Sequence, residues 1–111
     1  MIKISINKTN NLVDEITISG HSGYDELGHD IVCASVSCIS ITTVNAILRL
    51  DEKSLKYEEK DGYLYIKFYK HDKYIDALIE NMIDLLSNLK NQYSKYIKIQ
   101  WLGGVSWNWC N

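Results

Sequence analysis

The chain has 111 residues, 46% of them apolar and 23% charged, with 12 basic and 14 acidic side chains and a net charge of −2. That length makes one domain able to bury roughly 65% of its unfolded surface, and the composition excludes wholesale disorder. The slightly acidic balance argues against a dedicated nucleic-acid binder, which would be basic, so no direct nucleic-acid partner is expected. The first residues alternate in polarity without a signal-peptide core, and three cysteines do not make a disulfide scaffold; a reducing, cytoplasmic setting is the expectation.

Ile2, Ile4 and Ile6 alternate with Lys3, Ser5 and Asn7, the period of a half-buried strand. Asn10 and Asn11 supply turn chemistry, and Val13, Ile16 and Ile18 mark a second strand running to about His21, so a hairpin is predicted. Residues 22–29 carry two glycines and no apolar period, which reads as a loop. Asp30 stands where an N-cap carboxylate belongs, ahead of a helix running to about Leu50. Nine β-branched residues in that segment favour a strand on local propensity, but its length decides for helix.

From Ile31 to Leu48 there is no charge for 18 residues, the minimum for a membrane span. Ser35, Ser37, Ser40, Thr42, Thr43 and Asn45 interrupt that run, so a buried core helix is expected and no membrane. Asp61-Gly62 between alternating runs at 55–59 and 63–69 is a hairpin signal. Asp72 caps a second helix, whose Ile75, Leu78, Ile79, Met82, Leu85, Leu86 and Leu89 repeat at three and four. Tyr96 to Trp101 alternate as a last strand. The predicted fold is α+β, in the order ββ-α-ββ-α-β, with two helices packed on one mixed, mainly antiparallel sheet. Residues 1–101 form its single domain, and residues 102–111 are a tail of unassigned role.

One constellation carries chemistry. His21 ends a strand, a glycine-bounded loop follows, and Cys33 sits in the first turn of an apolar helix. Free N–H groups and the helix dipole there favour a thiolate, which is how cysteine becomes a nucleophile near neutral pH. Such a nucleophile needs a proton shuttle for the leaving amine, and His21 and His29 are the nearby candidates. His21 is favoured because a strand end holds it more rigidly. Asp30 and Ser37, at −3 and +4 from Cys33, share its helical face. Ser37 is thereby able to contact the sulfur or a substrate carbonyl. Asp30 caps the helix, orients His21, or does both.

The same residues have structural readings. A cysteine in an apolar helix is commonly core, a strand-end histidine commonly surface, and Asp30 first of all an N-cap. Cys33 and Cys38, five apart on one helix, point about 140° apart, which opposes a disulfide or a shared zinc. No metal and no cofactor is expected. Cys38 is expected in the core and His71 in solvent, while Cys110 lies in the tail. No lysine or arginine falls between Lys8 and Arg49, where Asp14, Glu15, Asp25, Glu26 and Asp30 lie, so an acidic mouth suited to a basic partner is expected.

Gly20-His21-Ser22, an eight-residue loop, and Asp30-Ile31-Val32-Cys33-Ala34-Ser35-Val36-Ser37 resemble the Prp ribosomal-processing cysteine protease family. The family pattern is Gly-His-Ala, a short glycine-containing loop, then Asp-Ile-Val-Cys-Ala-Ala-Val-Ser. The resemblance covers residues 1 to about 100. It implies that His21 and Cys33 are a catalytic dyad, supported by Gly20, Asp30 and Ser37. It implies removal of the N-terminal extension of large-subunit ribosomal protein twenty-seven, after a segment rich in phenylalanine. It also implies a homodimer and a mobile loop over the site, here Ser22, Gly23, Tyr24, Leu27, Gly28 and His29, with Tyr24 and Leu27 able to close on a peptide. Ser22 and Ser35 depart from the family's alanines, and Cys38 stands where a small residue is usual.

Two readings from other classes compete. A non-catalytic, ribosome-associated binding module of the same fold would bind substrate without cleaving it and keep Cys33 unreactive. A thiol redox sensor would oxidise Cys33 reversibly, but the sequence offers no resolving cysteine within reach.

Overall fold

The computed structural model describes residues 1–21 and 31–103. Seven elements follow one another: β1 (Ile2–Thr9), β2 (Leu12–Ser19), α1 (Ile31–Leu50), β3 (Leu55–Lys60), β4 (Tyr63–Phe68), α2 (Lys73–Gln92) and β5 (Ile97–Gly103). The strands form one sheet in the order β3-β4-β2-β1-β5. Only β1 and β5 pair in parallel; the other three pairings are antiparallel. The expected α+β architecture and element order are those observed.

Local chemistry explains the turns and caps. Asn10 and Asn11 have φ of 54° and 66°, the left-handed pair that closes a two-residue hairpin with the sheet's own twist. Gly62, at φ 68°, does the same work between β3 and β4. Asp72 caps α2, its carboxylate accepting from the N–H groups of Tyr74 and Ile75 at 2.9 and 2.8 Å.

The core lies between the sheet and both helices. Ile2, Ile4 and Ile6 of β1 meet Ile16 and Ile18 of β2, Leu64, Ile66 and Phe68 of β4, and Ile97 of β5 in one buried cluster. Helix α2 contributes Ile75, Ile79, Met82 and Leu86 of the expected three-four stripe together with Ile83, while Leu78 and Leu89 are partly buried and Leu85 stays exposed. Helix α1 is long and apolar enough to cross a membrane, and its Val32, Val36, Val44 and Ile47 join the same core. Polar residues occupy other sheet positions. The Gln100 amide donates to Ser5 Oγ at 2.8 Å, Asn7 Nδ2 donates to Glu15 Oε1 at 3.2 Å, and the Tyr65 hydroxyl donates to the second Glu15 oxygen.

Three expectations are corrected. Cys38 is exposed, because the buried face of α1 runs through Val36, Ser40, Thr43, Val44 and Ile47 and leaves position 38 outside. His71 is mostly shielded; its Nδ1 lies 2.6 Å from the Asp76 carboxylate, and its ring lies near Phe68. Asp14 and Glu15 belong to no mouth: Asp14 pairs with Lys67 at 2.9 Å, and Glu15 is held by Tyr65 and Asn7. Asp14 stands five residues before Ser19, or about 17 Å along an extended strand from the end that carries His21.

Candidate active site

Strand β2 ends at Ser19, and Gly20 turns the chain with φ 98°. A β-carbon at position 20 would collide with the Met1 carbonyl oxygen, so both the backbone angle and the approach of β1 require glycine. The Gly20 N–H donates to the Gly62 carbonyl at 2.8 Å, tying the end of β2 to the β3–β4 turn. The Met1 nitrogen donates to the His21 carbonyl. The backbone of His21 is thus fixed from both neighbouring strands, while its imidazole is 63% exposed.

Cys33 is the third residue of α1, partly buried against the core cluster, with no acidic side chain in the helix's first turn. His21 and Cys33 line one cleft of about 150 Å³ between the end of the sheet and the start of α1. Ser37, one turn beyond Cys33, lines it too. Ile2, Ile18, Val36, Ile41 and Leu64 supply apolar walls, and the β3–β4 turn closes the far side. This mixture of apolar lining and a few converging polar groups is what small-ligand and peptide sites share.

Sequence reasoning left the β3–β4 turn out of the site. Asp61 and Gly62 read as hairpin chemistry alone, yet Asp61 Oδ2 stands 3.9 Å from His21 Nε2, and the imidazole rests on Gly62. Only the strand order, which puts β4 beside β2, brings them together. The charged residues of the lining are Glu59, Lys60 and Asp61, so whatever acidity the described mouth has comes from this turn. Asp25, Glu26, Asp30 and the loop residues Ser22, Gly23, Tyr24, Leu27, Gly28 and His29 lie outside the described residues. Leu102 and Gly103 of the expected tail belong instead to β5, and Cys110 with the rest of the tail, 104–111, lies outside the described residues.

The family model for the cysteine protease Prp matches residues 1–98. The chain belongs to that family. It is 26% identical over 103 residues to the ribosomal processing cysteine protease Prp of Staphylococcus aureus, covering 90% of this chain and 96% of that one. It is 30% identical over 89 residues to the protein of the same name from Bacillus subtilis, covering 74% of this chain and 80% of that one. Its fold superposes with a TM-score of 0.84 on the crystal structure of the S. aureus Prp protease bound to a covalently linked product peptide. That likeness is at 26% identity and covers 91% of this chain and 99% of the other. Membership makes this chain a cysteine peptidase, with a histidine and a cysteine facing one cleft.

Proposed function

We propose that this chain is a cysteine endopeptidase that removes the N-terminal extension of large-subunit ribosomal protein twenty-seven. Cys33 is the nucleophile and His21 the general acid and base. The observation that carries this reading is that His21 and Cys33 line the same cleft in a chain of the Prp family. The relatives' name, ribosomal processing cysteine protease, supports the substrate class. The resemblance described above further supports a homodimer, and the lack of a signal-peptide core with few cysteines supports a cytoplasmic setting.

The chemistry runs in two steps. The Cys33 thiolate attacks the scissile carbonyl carbon, forming a C–S bond and an oxyanion that the positive end of the α1 dipole is suited to stabilise. Protonated His21 gives its proton to the leaving nitrogen as the C–N bond breaks, and a thioester remains. Water then attacks the thioester, His21 takes a proton from it, and the C–S bond breaks to restore the thiolate. Gly20 fixes the backbone that carries His21, and Ser37, which lines the cleft, contacts the sulfur or the substrate carbonyl. Asp30 and the loop 22–29 are assigned to capping and covering the site.

The test is a peptide copying the extension and cut site, incubated with the wild-type protein and with Cys33→Ala and followed by mass spectrometry. Cleavage at one bond by the wild type alone is the expected result. Binding without cleavage by the wild type would sink this reading in favour of a binding module.

A further inference from the structure

Helix α1 carries three shielded or half-shielded hydroxyls, and they behave differently. Ser35 Oγ donates to the Ile31 carbonyl at 2.7 Å, and Thr43 Oγ1 donates to the Ile39 carbonyl at 2.8 Å. This four-back bond is the usual way a helix absorbs a hydroxyl. Ser40 does not make it. Ser40 is 0% exposed, and its Oγ is the one buried side-chain polar atom among the described residues without a hydrogen-bond partner. A buried hydroxyl left unpaired is costly, and alanine would suit both the helix and the free protein better.

The position of Ser40 suggests what the hydroxyl is for. It lines the same cleft as Cys33 and His21. Seven residues return the helix to within about 20° of the same direction, so Ser40 stands about 10 Å along α1 on the face of Cys33. That is too far to touch the reacting atoms. It is about three residues of an extended peptide, or the reach of a long side chain entering from nearer the cut. Val36, Ile41, Ile2, Ile18 and Leu64 line the same cleft. A charged group would lose its hydration against them, whereas an uncharged donor or acceptor would not leave Ser40 unpaired.

We propose that Ser40 is a substrate-binding residue: its hydroxyl, closed off at the floor of the cleft in the free protein, is uncovered as a peptide enters and pairs with an uncharged hydrogen-bonding group of it. This rests on the reading that the cleft takes a peptide. The group belongs either to the main chain or to a side-chain amide or hydroxyl, and the test separates the two.

The experiment compares the wild type with Ser40→Ala on the extension peptide of ribosomal protein twenty-seven. KM is expected to rise about three- to tenfold with a smaller change in kcat. Peptide Kd, measured with the Cys33→Ala protein with and without Ser40→Ala, should weaken by the same factor. The melting temperature of Ser40→Ala should hold or rise, so that a loss of affinity is not the result of a damaged fold. A second series of peptides, N-methylated at single amides or altered at single polar side chains, identifies the partner. The position whose change costs affinity in the wild type but not in Ser40→Ala is the one paired with the hydroxyl. Unchanged KM and Kd in Ser40→Ala overturn the inference, as does weakening that couples to no peptide position. A wild-type protein that neither cleaves nor binds the peptide overturns both this inference and the reading beneath it.

Discussion

The imidazole of His21 rests on Gly62, so closely that a β-carbon at position 62 would stand 2.7 Å from Nε2 and 3.1 Å from Cε1. The obstacle such a carbon meets is a mobile ring rather than backbone. Gly62→Ala should therefore move the histidine and largely spare the fold. Its left-handed φ adds a cost of about 1 kcal/mol, or a few degrees in Tm. Displacing a proton donor by a fraction of an ångström to an ångström costs far more in rate, and kcat/KM is expected to fall about ten- to a hundredfold. Steady-state kinetics beside a thermal melt checks this; full activity with the same small loss of Tm would mean that the ring does not work from where it rests.

Gly20 makes the opposite case. There the added carbon meets the Met1 carbonyl oxygen, which is backbone, at a φ of 98°. Gly20→Ala should lose more than about 2 kcal/mol of stability, because neither the turn nor the first strand can yield cheaply. Chemical denaturation would read this, and a variant as stable as the wild type would contradict it.

Asp51 joins the end of α1 to the start of β3 and the end of β4. The Lys70 ammonium donates to one carboxylate oxygen at 2.9 Å and the Lys53 N–H to the other at 2.9 Å. The Lys70 hydrogen bond, then that of Lys53, holds its carboxyl below the ordinary value of 3.8. A lowered acid contributes stability that is present above its unfolded pKa and lost as pH falls through the folded one. Asp51→Asn should therefore melt below the wild type at neutral pH, with the gap closing below about pH 4. Paired melts from pH 7 to pH 3 test it; a gap that persists in acid would assign the effect to packing.

Tyr65 gives the alkaline counterpart. Its hydrogen bond to the Glu15 carboxylate, with burial and the negative charges nearby, pushes the phenol up to about 12. A raised pKa contributes stability that is whole below the unfolded value near 10 and lost as pH climbs through the folded one. The wild type should lose stability relative to Tyr65→Phe between those limits. In an ultraviolet titration, one tyrosine should ionise late in the wild type and be missing from the variant.

Much of this was readable in advance where one physical signal dominated. Ile2, Ile4 and Ile6 alternate, Asp72 precedes a three-four stripe, and Asp61-Gly62 fits one kind of turn. Helix α1 was legible as a helix but not in its orientation. With no charge over 18 residues, nothing in its pattern distinguishes the face of Ser40 and Thr43, which is buried, from that of Cys38, which is not. His71 was misread because a histidine beside a helix start looks solvated until Asp76 and Phe68 fold against it. In the cleft, Gly20, His21, Cys33 and Ser37 stood out from spacing and resemblance. Asp61, Gly62 and Ser40 did not, because their roles depend on which strand lies beside β2 and which side of α1 faces inward.

The sheet order also sets the timing of assembly. Among the described strands, β1 sits between β2 and β5, and the Gln100–Ser5 hydrogen bond closes a span of 95 residues. Contacts that distant form late, after their loop entropy has been overcome. A stretch of chain that carries only His21 and Cys33 lacks the Gly62 turn on which the imidazole rests. The cleft is thus a property of the assembled sheet, and no short stretch that carries His21 and Cys33 alone contains it.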